Sequence, residues 1–319
     1  MKYSKNIRSI FFKILLSFIL TTLTTSNLFG QISFEDSTVY VLAHWSKGDK
    51  YTYSIESTSY TIKNDDTSDT KIMNGLIDIA IIDSTDSNYI MKWDTYGSVF
   101  DGYDDWFIEL FSQIDTITYI VETNSYGQFY DLHNWEEIRD VLGGIVENMV
   151  MDTSKEAKMV SRLLDFKNLY SSKGAVMNLV VEEINYMQFF HGNVFGFDEV
   201  YHSQIEAPNY MSNIPVLINR LAYIDTIYVD DNSVALYCDM EADTASISNS
   251  VKTYLNEKLQ SIDAPDSLKN TFKEMEITRT EFLGNIIHVG SGWTTYSYYD
   301  RVITSGDTKM MHAVTIDML

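Results

Sequence analysis

Alternation with a period of two, in runs separated by short turns of Asp, Asn and Gly, constrains this chain more than any other feature of its sequence. In an extended strand successive side chains point to opposite faces, so an apolar–polar alternation marks a strand buried on one side. Tyr51, Tyr53 and Ile55 alternate in this way with Thr52, Ser54 and Glu56. Leu76 to Ile82 and Tyr89 to Trp93 flank the polar stretch Asp83–Asn88 and read as a hairpin. Ile114 to Glu122 and Gln128 to Leu132, joined through Asn124–Gly127, read as another. Further strands are predicted over Glu199 to Glu206, Leu221 to Val229 and Ser233 to Met240, the last two joined by Asp230–Asn232. Three long strands follow: Ile277 to Val289, Trp293 to Thr304 and Thr308 to Met318. Met310, His312, Val314, Ile316 and Met318 share one face of the last.

Between the strands the period changes to that of a helix. Ile138, Val141, Leu142, Ile145, Val146 and Met149 lie opposite Glu136, Arg139, Asp140 and Glu147. Asn134 is placed to N-cap this helix, with Glu137 completing a capping box. Gly143-Gly144 in its interior costs about 1 kcal/mol each, which predicts a kink or a close helix contact there. Thr153 and Glu156 form a second capping box for a helix running to about Tyr170. A third helix is predicted from near Ser172 to Gly192, buried through Val176, Met177, Val180, Ile184, Met187 and Phe190. Ile247, Val251, Tyr254, Leu255 and Ile262 mark another after Thr244, and Pro265 suits the first position of a short one reaching Met275. Helices in blocks and strands in antiparallel hairpins predict an α+β fold, a curved antiparallel sheet packed on or around several amphipathic helices.

No Pro-rich or Gly/Ser linker interrupts the chain, so residues 31–319 read as one domain. A faint repetition between Ile77–Trp93 and Ile224–Tyr237 suggests two similar halves meeting near residues 190–200. Residues 1–30 match a secretory signal peptide. Lys2, Lys5, Arg8 and Lys13 precede an apolar stretch, Ile14 to Leu23, which is short for a membrane span and is followed by Thr, Ser and Asn. Cleavage is expected after Gly30, with Ser26 as the alternative, and places the protein in the periplasm or outside the cell.

Composition narrows the function. A net charge of −22 excludes a reader of the nucleic-acid backbone, which needs a basic footprint. One cysteine excludes a disulfide framework or a multi-cysteine metal site, and Cys238 reads as a small buried apolar residue. Five Trp, 22 Tyr and 16 Phe supply a large core. No nucleophile elbow, phosphate loop, Rossmann glycine run or His-Glu-x-x-His is present. His202 and Glu206 share a strand face about 13 Å apart, too far to share a metal. The Asp83–Asn88 and Asp101–Asp105 stretches lack the spacing of an EF-hand loop and suit turns. Glu182-Glu183 and Glu136-Glu137 diverge on their helices and form no facing acid–base pair.

The candidate ligand-binding residues lie in Phe189-Phe190-His191-Gly192-Asn193-Val194-Phe195-Gly196-Phe197. Phe189, Phe190, Phe195 and Phe197 read either as a flexible aromatic flap over an apolar cavity or as a helix C-cap at Gly192 whose rings close the core edge. His312, on the inward face of the last strand, joins them as a candidate.

The export signal ending in Leu28-Phe29-Gly30-Gln31, the opening strand Trp45-Ser-Lys-Gly-Asp49-Lys-Tyr51, and Gly127 followed by Asn134-Trp-Glu-Glu-Ile-Arg139 resemble uncharacterised secreted proteins of Gram-negative bacteria. Those are filed as domains of unknown function, and the resemblance spans most of the mature chain. They have no assigned activity, so the resemblance supplies no catalytic residue. In element order the chain is also similar to the curved-sheet-over-helices carriers that move lipoproteins through the periplasm. The expectation is an exported, non-catalytic binding or scaffold domain holding an apolar small molecule, a lipid or an envelope protein, without cofactor or metal. The alternative is a hydrolase whose site is assembled only in the fold.

Overall fold

The computed structural model describes residues 32–152, 156–207, 214–261 and 276–319. Short strands β1 (Ile32–Ser33) and β2 (Thr38–Val41) lead into β3 (Lys50–Lys63), β4 (Asp66–Ser84) and β5 (Asn88–Asp101). Helix α1 (Asp105–Phe111) separates these from β6 (Thr116–Asn124) and β7 (Phe129–Leu132). Four helices follow: α2 (Trp135–Met151), α3 (Ala157–Leu169), α4 (Lys173–Val180) and α5 (Glu182–Gln188). Then come β8 (Asn193–Gly196), β9 (Val200–Ala207), β10 (Val216–Tyr228), β11 (Ser233–Ala242) and α6 (Thr244–Ser261). β12 (Ile277–His288), β13 (Trp293–Ser305) and β14 (Thr308–Met318) complete the order.

Eleven strands form one antiparallel sheet in the order β7-β6-β5-β4-β3-β14-β13-β12-β11-β10-β9. Two meanders therefore spread outward from a central pair, β3 against β14, where Ile55 lies opposite Ile316. The sheet is not closed, and β7 and β9 are its edges. β1, β2 and β8 make a separate small sheet. The α+β class holds in its coarse form, but strand (54%) outweighs helix (24%), so the fold is dominated by its sheet rather than by helix packing.

The turns follow backbone chemistry. β3 and β4 are joined by Asn64-Asp65, both left-handed (φ 50° and 66°), the conformation a two-residue hairpin requires and one that Asn and Asp tolerate. The segment between β2 and β3 is held at one end of the sheet by two other turns: Ala43 N–H donates to Tyr126 O and His44 N–H to Ser291 O, each at 3.1 Å. Gly292 sits so close to this segment (φ +72°) that a Cβ there would stand 2.2 Å from Leu42 O, which only glycine avoids. The Trp45 ring then packs on Trp293 (5.1 Å), Tyr89 (5.3 Å) and His191 (5.5 Å), an aromatic plug at that end.

Helix α5 is anchored inside this frame. The last carbonyls of a helix lack partners within it and must find donors elsewhere when buried. Asn285 Nδ2 donates to Tyr186 O (2.8 Å) and Thr294 Oγ1 to Met187 O (2.6 Å), while Tyr53 Oη donates to Thr294 O (3.0 Å). The Tyr186 ring stacks on Tyr299 at 4.0 Å.

Several sequence expectations change. The third helix is two, α4 and α5, divided at Val181. Asn134 does not cap α2 with its side chain; its Oδ1 accepts from Ile120 N–H (2.8 Å) and its Nδ2 donates to Thr118 O (2.9 Å), tying the helix start to β6. No close contact forms at Gly143 and Gly144, where an added Cβ would meet nothing within 4 Å; they face a groove between α2 and α3. The signal peptide, the Thr153 cap and the helix at Pro265 lie outside the described residues. No helix among the described residues is long and apolar enough to cross a membrane.

Candidate functional site

Among the described residues, two of the cavities that lie against the sheet flank α5, one on each side. The first, of about 370 Å³, belongs to the β3–β7 half. Its sheet wall spans four consecutive strands: Ile55 and Ser57 of β3, Met73 and Ile77 of β4, Trp93 and Thr95 of β5, and Ile117 and Tyr119 of β6. The period-two rule that buries one strand face thus sets them side by side. The opposite wall begins where β5 turns into α1. Tyr103 stacks on Phe107 (4.8 Å), Phe107 packs tilted against Phe111 (4.5 Å), and the ring series continues through Phe166 (6.2 Å from Phe111) to Tyr170 (4.6 Å) on and after α3. Ile138 and Leu142 of α2 fill the space between.

One charged residue lines this cavity among the described residues: Glu183 of α5. Adjacent Glu182 turns the other way, toward Arg301 at 3.6 Å, so the two carboxylates diverge as their spacing predicts. Burial pushes the Glu183 carboxyl up to about 7, opposed by its own backbone N–H and reinforced by the negative charge of Glu182. It keeps some accessible surface but behaves as a buried acid, because the space it faces is the aromatic cavity. Tyr119 and Tyr170 are pushed far above the ordinary phenol range, burial being the main cause, and stay neutral.

The second cavity, about 720 Å³, lies in the gap between the two edge strands, with Phe129 of β7 on one side and Tyr201, His202 and Ser203 of β9 on the other. Arg220 is its basic group. The guanidinium lies 5.2 Å from the centroid of Phe189, its Nε is buried without an acceptor among the described residues, and burial lowers its pKa. Cys238, fully buried in the sheet wall, has its thiol pushed up to about 11, burial again leading.

Phe189, Phe190 and Phe195 line this second cavity, in the company of Asn185 and Gln188 of α5. Phe197 does not: it meets Phe34 edge-on at 5.7 Å. His312 lines neither cavity and stands 6.4 Å from Tyr299, its pKa lowered by burial and by Arg301. The segment is no free flap. Residues 193–196 are β8, paired with β2 in the register Tyr40 to Val194, and Gly192 (φ +77°) donates its N–H to Val41 O at 2.7 Å. Gly192 is not the helix C-cap either: α5 ends at Gln188 with Phe189 as its cap, and left-handed Gly192 closes the turn that leads into β8.

No histidine is hydrogen-bonded to both a serine and a carboxylate among the described residues. His133 Nε2 meets Glu122 (2.7 Å), His288 Nδ1 meets Ser291 Oγ (2.7 Å), and buried His191 Nε2 donates to Gly292 O (2.7 Å). No group of three or more His, Cys, Asp or Glu that could hold a metal occurs among the described residues.

The aromatic cavity was not marked as a site by sequence reasoning. Its signal is present in Phe100, Tyr103, Phe107 and Phe111, spaced by three and four residues, but the neighbouring Asp101, Asp104 and Asp105 carry the signature of a turn. No protein-family model matches the chain, and no curated protein matches it.

Proposed function

We propose that this chain is an exported, non-catalytic binding protein that holds an apolar ligand between its sheet and its helices. The observation carrying this reading is the aromatic cavity of about 370 Å³, within the range of small-molecule sites and walled mainly by apolar rings. A curved sheet supports it: residues of both edge strands, Phe129 and Tyr201, line one cavity, which requires the two edges to turn toward each other. The leader-like residues 1–30 and the likeness in element order to periplasmic lipoprotein carriers point the same way, the latter as fold analogy.

The test uses the neutral apolar fluorophore N-phenyl-1-naphthylamine and the full chain. Wild type is expected to bind it with enhanced fluorescence, and Thr95→Phe, which fills the cavity from its sheet wall, is expected to abolish binding while the protein stays folded. Undiminished binding by a folded Thr95→Phe variant sinks the reading. N-terminal sequencing of the protein recovered outside the cytoplasm tests export, with Gln31 as the expected first residue.

A further inference from the structure

We infer that the aromatic cavity takes an organic cation, an ammonium group on an apolar body seated between the Glu183 carboxylate and the surrounding rings; the inference rests on the reading of this cavity as the ligand site. Three observations lead there. Glu183 is the single charged residue lining the cavity among the described residues, so an anionic ligand meets repulsion without compensation. The nearby cations are engaged elsewhere. Arg301 faces Glu182 at 3.6 Å, and Lys173 pairs with Asp131 at 2.6 Å. Lys71 lies 5.6 Å from the Tyr103 ring centroid and is not among the charges acting on Glu183.

The walls supply the rest of the recognition. Aromatic faces carry the negative part of the ring quadrupole and attract ammonium groups, most strongly when both are removed from water. Trp93, Tyr103, Phe107, Tyr119, Phe166 and Tyr170 surround the same space as the carboxyl. Tyr103 already takes one ammonium, that of Lys71. A buried carboxylate without a counter-ion is costly, and a bound cation removes that cost. The formal net charge of −22 also favours the approach of cations.

The groups facing Glu183 define its titration. Tyr119 of β6, Tyr170 just after α3 and Tyr103 just before α1 remain neutral as burial raises them, Glu182 of the same helix adds negative charge, and α2 presents Ile138 and Leu142. Glu183 therefore gains its negative charge as pH rises through about 7, and cation binding strengthens with it.

The experiment compares phenyltrimethylammonium with tert-butylbenzene, two probes of the same shape that differ in charge, on the full chain by ligand-observed NMR. Wild type at pH 8.5 is expected to bind the cation at least tenfold more tightly than Glu183→Gln does. The neutral probe is expected to bind both proteins alike. Lowering the pH to 5.5 is expected to weaken the cation and leave the neutral probe unchanged. A cation bound equally by wild type and Glu183→Gln, or with no pH dependence, overturns the inference while a bound neutral probe keeps the cavity reading alive. Failure of wild type to bind either probe overturns the cavity reading itself. Should Glu183→Gln not fold, the wild-type pH series decides alone.

Discussion

The two cavities share a partition, α5, yet differ in almost every physical respect. The one in the β3–β7 half is smaller and ring-walled, and carries a single acid, Glu183. The one between the edge strands is larger, with Gln128, Asn185, Gln188 and Ser203 among its lining, and carries a base, Arg220. The difference traces to how each is walled. Continuous strands with facing helices put apolar strand faces on one side and amphipathic helix faces on the other. At a sheet edge, backbone groups and polar side chains must be accommodated as well. A seven-residue helix thus separates an acidic apolar site from a basic, mixed one, Glu183 facing one way and Asn185 and Gln188 the other.

The largest expected effect tests whether the wall of the edge cavity is core. Phe195 is 4% exposed and meets Phe190 (5.9 Å) and Tyr201 (5.5 Å), so Phe195→Ala should cost about 3–5 kcal/mol in urea unfolding. Phe197, half-buried at the edge of the core and edge-on to the exposed Phe34, should cost less, about 2 kcal/mol, when truncated. Equal costs would erase the distinction between a packed wall and an outer contact.

The next effect belongs to the acid. The folded-state pKa of Glu183, about 7, exceeds its ordinary 4.5, so the native state holds a proton that the unfolded chain releases, and stability falls as pH rises from 4.5 to 7. Glu183→Gln should therefore stabilise the protein by about 3 kcal/mol at pH 8 and by almost nothing at pH 4. His191 acts with the opposite sign. Burial lowers it from 6.5 to about 4, so its contribution is complete above 6.5 and is lost as pH falls through 4. The two slopes oppose each other between pH 4.5 and 6.5. The variant should show stability climbing across that window more steeply than wild type, measured by denaturant midpoints at each pH. An unchanged slope would mean that the aromatic cavity holds its acid as water would.

A reactivity measurement then asks whether the cavities are separate. With its thiol raised to about 11, Cys238 should react with iodoacetamide at pH 8 about a hundredfold more slowly than a free cysteine. Phenyltrimethylammonium should leave that rate unchanged, since Cys238 lines the other cavity. Protection by the cation would show the two spaces to be continuous. The smallest effect concerns Arg220→Met, which removes a buried Nε without an acceptor and should raise stability by about 1 kcal/mol, with cation affinity unaltered.

The sheet was legible where burial is one-sided. β14 alternates around Val314 and Ile316, and the predicted bounds of β12, β13 and β14 lie close to the observed ones even though β12 buries Leu283, Gly284 and Asn285 in succession. The β3–β4 hairpin around Asn64-Asp65 escaped because its distal part is mostly polar, Ser59 opposite Lys71, Thr61 opposite Ser68 and Lys63 opposite Asp66, and carries no period-two signal. Helix α1 has only seven residues, too few for a helical period to stand out, and β8 is four residues inside an aromatic run that reads as a helix end. Phe189, Phe190 and Phe195, which line the edge cavity, could be grouped from the sequence because they cluster in it. The aromatic cavity draws on strands and helices from Ile55 to Glu183, and no local window contains it.

The pairing of β3 with β14 also orders events during synthesis. Tyr53 lies opposite Met318, so the strand at the centre of the sheet finds its second neighbour only when the last described strand has been made. Until then β3 is an exposed edge beside β4, with Tyr53 and Ile55 unburied and a row of backbone donors and acceptors open to any strand that arrives. Such high contact order makes for slow completion. Throughout that interval the half-made sheet is open to pairing with a second copy of itself, so the order of synthesis sets how long the chain is exposed to misassembly.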